Sequence, residues 1–127
     1  MDGKRAEQLA AQYLARAGLT IIERNYRCRG GEIDLIANDG EQLVFVEVRY
    51  RQQDHFGSAA ESINYHKQKR LTKTALHYLQ KRQLAETASC RFDTICISPK
   101  SGTSKLWTRW PPGYQIQWLR NAFNATS

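Results

Sequence analysis

No apolar run in the sequence approaches membrane-spanning length, and its first residues, Met-Asp-Gly-Lys-Arg-Ala-Glu, lack the apolar stretch of a signal peptide. No membrane partner is expected, and the chain is assigned to the cytoplasm. Cysteine is scarce. Cys28, Cys90 and Cys96 are an odd number without the short paired spacings of a zinc site, which argues against a disulfide framework and against structural zinc. Cys96 lies in an apolar run and is expected in the core. His55, His66 and His77 have no metal-ligand spacing, and Gly30-Gly31 lacks the Gly-Lys-Ser/Thr ending of a phosphate loop. Repeats, linkers and low-complexity tracts are missing. With 127 residues there is material for one core and too little for two, so 1–127 is read as a single domain.

What is present is a basic, well-patterned chain. Hydrophobic residues make up 41% and charged residues 24%, the balance of a folded protein rather than a disordered one. The net charge of +7 favours a polyanionic partner, DNA or another nucleic acid. Ala6, Leu9, Ala10, Tyr13, Leu14 and Ala17 trace one helical stripe, with Asp2 as N-cap and Gly18 as C-cap. Leu19 to Arg27 reads as a strand that Gly30-Gly31 breaks from the next. Ser62 to Arg82, free of Gly and Pro, carries Leu71, Ala75, Tyr78 and Leu79 on one stripe of a second helix. Cys90 to Ile97 reads as a strand. Ser98 to Gly113 reads as a loop with room for a short strand at Lys105 to Thr108, and Ile116 to Phe123 as a short closing helix.

The best-defined unit is a hairpin. Glu32 to Ala37 and Leu43 to Arg51 are strands around Asn38-Asp39-Gly40-Glu41, where Asp-Gly is a strong turn signal. Alternation puts Ile33, Leu35 and Ala37 with Val44, Val46 and Val48 on an apolar face that must be covered. Glu32, Asp34 and Ile36 share the other face with Leu43, Phe45, Glu47, Arg49 and Arg51. Pairing Asn38 with Glu41 sets Asp34 opposite Phe45 and Glu32 opposite Glu47, so three carboxylates gather at the end far from the turn. Like charges in that arrangement need compensation. Two compensators remain open: Arg49 or Arg51 as ion-pair partners, or a divalent cation, since clustered carboxylates, a carbonyl and water suit Mg²⁺. Glu7, at the border of the first helical stripe, is a further carboxylate source.

Gly31-Glu32-Ile33-Asp34-Leu35-Ile36, Val44-Phe45-Val46-Glu47-Val48-Arg49 with Tyr50-Arg51, Cys90-Arg91-Phe92-Asp93 and Asn121-Ala122-Phe123 resemble the YraN family of small bacterial proteins, over nearly the whole chain. That family is regarded as a branch of the PD-(D/E)xK nuclease-like superfamily, related in pattern to archaeal Holliday junction resolvases. The resemblance implies a three-layer α/β/α restriction-endonuclease-like fold with a central mixed sheet flanked by helices. It implies that Asp34 and Glu47 ligate Mg²⁺ or Mn²⁺ with the carbonyl of Val48, that Glu7 is the carboxylate of the first helix, and that Glu32 holds a water. Such a site hydrolyses phosphodiesters by metal-activated water attack. The chain departs from the pattern at Arg49, where lysine is expected. Arginine stays protonated and cannot take a proton from water, but it can hold a phosphate or orient a carboxylate.

Around that core, Gln68 falls inward on the second helix, either completing the site or capping the helix end. Lys67, Lys69, Arg70 and Lys73 on the helix, and Arg27, Arg29, Arg49 and Arg51 near the hairpin, could follow a phosphate backbone. Asp93 reads as the partner of an arginine, and Trp107, Trp110 and Trp118 as packing residues rather than base-stacking ones. Three functions follow: a Mg²⁺-dependent endonuclease acting on DNA, a non-catalytic nucleic-acid-binding module that keeps the nuclease fold, and a protein-interaction scaffold. Nothing in the sequence sets the oligomeric state.

Overall fold

The computed structural model describes residues 1–52, 63–100 and 110–123. The expected strand at Lys105 to Thr108, together with His55, Ser62 and Trp107, lies outside the described residues. Helix α1 (Gly3–Arg16) starts where the Asp2 carboxylate accepts the Arg5 N–H at 2.8 Å, a side-chain cap for an otherwise unpaired donor. It ends one residue before the expected cap. Ala17 closes the last turn, and Gly18 follows with φ of 100°, a conformation that glycine adopts without a Cβ penalty. The chain then runs through β1 (Thr20–Cys28), β2 (Gly31–Asn38), β3 (Leu43–Tyr50), helix α2 (Tyr65–Lys81), β4 (Cys90–Pro99) and β5 (Tyr114–Phe123).

The five strands form one sheet in sequence order. Neighbours are antiparallel except β3 and β4, which α2 joins as a parallel crossover pair. Leu9, Ala10 and Leu14 of α1 pack on Leu35, Ala37, Val44, Val46, Ile95 and Ile97. On the opposite face, Leu71, Ala75 and Tyr78 of α2 pack on Ile36, Leu43, Phe45 and Phe92. The architecture is α/β, a mixed sheet between two helices, compatible with the restriction-endonuclease-like fold. Each fully buried Leu, Ile or Phe here contributes about 1.5–3 kcal/mol of transfer free energy, so the two apolar interfaces fix the layer order. Among the described residues no helix is long and apolar enough to cross a membrane.

Three expectations are corrected. Ile116 to Phe123 is not a helix but most of β5. Ile116 and Trp118, two residues apart, pack toward the α1 face while Phe123 stacks on Phe92 across the sheet. The spacing of Ile116, Leu119 and Phe123 imitates a helical stripe because the strand is irregular: its register shifts opposite Phe92/Thr94, and Asn121 has φ of 54°. The hairpin register is displaced by two residues. The loop spans residues 39–42, tied by the Asp39 carboxylate accepting the Glu41 and Gln42 N–H groups at 2.8 and 2.7 Å, and Asn38 pairs with Leu43. A shift of two does not itself turn a side chain to the other face, and it brings Asp34, rather than the expected Glu32, level with Glu47.

The third correction concerns Ile33, which joins the α2-side cluster rather than sharing a face with Leu35. Its β1 partner Tyr26 does the same. Alternation is therefore reset at the step between these pairs, where Asn25, opposite Asp34 in sequence register, has φ of 52°. Asparagine tolerates that left-handed backbone better than most residues. The reset makes Asp34 the corner of the sheet, within reach of side chains from both helices.

Candidate active site

The regular pairing of β2 with β3 ends at Leu35 and Val46, so one further step along each strand reaches Asp34 and Glu47. There the Asp34 carboxylate takes over from the backbone, and its Oδ2 accepts the Val48 N–H at 2.8 Å. From α1, the Glu7 side chain meets this corner: oxygens of Glu7, Glu32 and Asp34 all lie within 4.8 Å of one another. A cation with oxygen ligands at about 2.0–2.6 Å can span such a separation. Glu47 is 8% exposed, and on β4 its lateral neighbour is Thr94, whose Oγ1 is buried without a hydrogen-bond partner among the described residues.

Electrostatics follow from this crowding. Burial first, then the charge of Glu47, push the Asp34 carboxyl from its ordinary 3.8 up to about 7. The hydrogen bond from Val48 opposes the rise, while Glu7 and Glu32 add to it. A carboxyl that holds its proton near neutrality marks a place where negative charge exceeds the local compensation. Glu7, Glu32 and Asp34 form a hard, anionic donor set that fits a divalent cation, whereas Glu47 lies outside that group of oxygens and is paired with the α2 helix.

The opposite wall comes from α2. A cavity of about 260 Å³ is lined by Gly31, Glu32, Asp34 and Glu47 on the sheet side and by Lys67, Arg70 and Leu71 on the helix. Lys67 Nζ forms an ion pair with Glu47 Oε1. Two local features aim it there. The Asn64 side chain caps α2 by accepting the Lys67 N–H at 2.9 Å, and Gly31, with φ of 151°, lets β2 approach the helix: a Cβ there would sit 3.1 Å from Thr74 Oγ1. The cleft therefore opposes one buried carboxylate, Glu47, and two part-buried ones, Glu32 and Asp34, to helix cations.

Other candidates are placed differently. Gln68 does not line the cavity, and its Nε2 donates to the Ile63 carbonyl at 2.8 Å, which is the helix-end alternative. Lys69 lies over the Tyr65 ring, 5.5 Å from its centroid. Arg27 is exposed and pairs with Glu32 at 3.3 Å, Arg29 is exposed in the turn before Gly31, and Arg51 continues the β3 pairing through its N–H to the Ile97 carbonyl. Arg49 is paired in register with Cys96, whose thiol is raised by burial against the opposing charges of Arg49 and Arg51. Asp93 is structural, as expected: it takes Arg91 Nε at 3.1 Å and the Trp118 indole N–H at 2.9 Å.

Sequence reasoning did not single out Lys67 as the partner of Glu47. The signal was available. Continuing the Leu71, Ala75 and Tyr78 stripe four residues toward the N-terminus lands on Lys67, whereas Lys69 and Lys73 fall off it.

Residues 6–97 match the model of a family described as "Uncharacterised protein family UPF0102". The chain is 47% identical over 125 residues to a UPF0102 protein of Nitrosococcus oceani, covering 98% of this chain and 93% of that one. A UPF0102 protein of Hahella chejuensis is 53% identical over 105 residues, covering 83% and 84%. One from Serratia proteamaculans is 47% identical over 120 residues, covering 94% and 91%.

Proposed function

The chain belongs to the UPF0102 (YraN) family, whose description names no activity, and from the geometry of the cleft we propose that it is a divalent-metal-dependent nuclease acting on DNA. The observation that carries this reading is the opposition of two walls: Asp34 and Glu47 on the sheet, Lys67 and Arg70 on the helix, with a cavity between them. Carboxylates alone would repel a phosphodiester, and cations alone would only bind one. A site that hydrolyses it needs both, with the metal between the anions.

Asp34 and Glu47 would hold Mg²⁺ or Mn²⁺ together with the Val48 carbonyl, and Glu7 and Glu32 complete the acidic wall. When bound, the cation supplies Lewis acidity toward a phosphate oxygen and lowers the pKa of water. The residues of the chain do the rest. The Val48 N–H fixes the orientation of Asp34. Glu7 and Glu32 accept hydrogen bonds from water on their side of the cleft. Arg70 draws the phosphate group against the sheet. Gly31, without a side chain, lets β2 close on α2 and so keeps the two walls near each other.

The test is incubation of the purified protein with single-stranded, duplex and junction DNA in Mg²⁺ or Mn²⁺. We expect cleavage that EDTA abolishes and that Asp34→Ala or Glu47→Ala lowers by about 100-fold or more. No cleavage of any substrate, or cleavage indifferent to both substitutions, rejects the nuclease. Arg49 in the motif's lysine position favours a second reading, a non-catalytic nucleic-acid-binding module. Salt-dependent DNA binding without cleavage is its signature.

A further inference from the structure

The position two residues beyond Glu47 holds arginine, yet the cavity contains a lysine. Lys67 reaches Glu47 from α2, and its side chain is 33% exposed, whereas that of Glu47 is 9% exposed. Arg70 and Leu71, three and four residues further along the same helical face, line the same cavity. The Lys67 backbone is held by the Asn64 cap, so its flexible four-carbon stem is the part free to turn. Lys69, by contrast, lies over the Tyr65 ring. The placement is specific to one lysine.

We propose that Lys67 supplies from α2 the ammonium missing from the strand motif: it screens Glu47 in the metal-free protein and turns to a substrate phosphate oxygen once a divalent cation takes that carboxylate. The inference rests on the nuclease reading above. Its physical basis is charge. Lys67 and a metal ion on the same Glu47 oxygens repel each other, so each weakens the other's hold, and an incoming phosphate gives the displaced ammonium a new anionic partner.

The experiment titrates the full chain with Mn²⁺ alone in a calorimeter and, separately, measures cleavage. In the Lys67→Met variant the competing charge is gone, so Mn²⁺ should bind about tenfold more tightly. Cleavage should fall by about 100-fold despite the tighter metal. Lys67→Arg, which keeps the charge, should bind Mn²⁺ as the unsubstituted protein does and recover part of the cleavage. Should Lys67→Met fail to fold by circular dichroism, Lys67→Gln carries the same comparison. Unchanged or weaker Mn²⁺ binding in the neutral variant, beside normal uptake by the unsubstituted chain, overturns the role of Lys67 and leaves the metal site standing. If the unsubstituted chain takes up no Mn²⁺ at all, the underlying metal-site reading fails.

Discussion

At the scale of single residues, Asp34 is the most informative group, because its burial among carboxylates is a statement about stability. Its carboxyl is held at about 7 in the folded chain against an ordinary 3.8. Between those values the folded chain keeps a proton that the unfolded chain has released. The stabilising contribution is therefore full below about 3.8 and is lost as pH rises through about 7. Asp34→Asn is neutral throughout and can still accept the Val48 N–H. In EDTA the variant should melt above the unsubstituted protein at pH about 8, and the gap should close toward pH about 4. Mg²⁺ or Mn²⁺ at the higher pH should raise the melting temperature of the unsubstituted protein only, since a ligand that binds the folded state stabilises it. A thermal melt in which Asp34→Asn is no more stable at the higher pH would contradict the crowding account.

At the scale of elements, the strongly periodic parts were legible and the irregular parts were not. The stripes of α1 and α2 and the Asp-Gly hairpin follow from side-chain spacing, and alternation alone brought Asp34 and Glu47 to one face. Its limits were local. Asn38 and Asp39 both have side-chain oxygens that accept loop N–H groups, so residue type does not reveal which of them ends the strand, hence the shift to Asn38 opposite Leu43. Nor does periodicity foresee a reset at Asn25, which moved Ile33 across the sheet. The strand β5 was missed because its partner Asp93 lies 25 residues from Trp118 in sequence. Asp93, 1% exposed, joins Arg91, the Trp118 indole and the Asn121 N–H at 2.8 Å, and so pins β5 to β4. Asp93→Ala takes the acceptor from the Trp118 indole and the Asn121 N–H, while Arg91 keeps its ion pair with Asp39. Two donors left unsatisfied should cost about 2–5 kcal/mol and lower the melting temperature by more than about 5 °C. A destabilisation below about 1 kcal/mol would show that β5 is held by its backbone pairing and aromatic packing instead.

At the scale of the whole molecule, the acidic corner and the net charge of +7 pull in opposite directions, and their arrangement decides which a polyanion meets first. The turn that carries Arg29 packs on the basic side of α2: a Cβ at Gly30 would lie 3.8 Å from the Lys73 Cβ, and one at Gly31 3.8 Å from the Arg70 Cβ. Two segments far apart in sequence thus form one basic rim beside the cleft. Arg16 and Arg120 lie elsewhere, over the Trp110 and Trp118 rings at 4.3 and 4.0 Å. If the rim follows a phosphate backbone, Arg29→Gln with Lys73→Gln should lower the slope of log affinity against log salt by about one unit for each phosphate no longer neutralised, about two in all. Arg16→Gln with Arg120→Gln removes the same net charge from the other patch and should leave the slope within about half a unit. Equal effects from the two pairs would mean that DNA responds to overall charge rather than to the rim. A larger effect from the Arg16 and Arg120 pair would move the binding surface to the α1 side of the sheet.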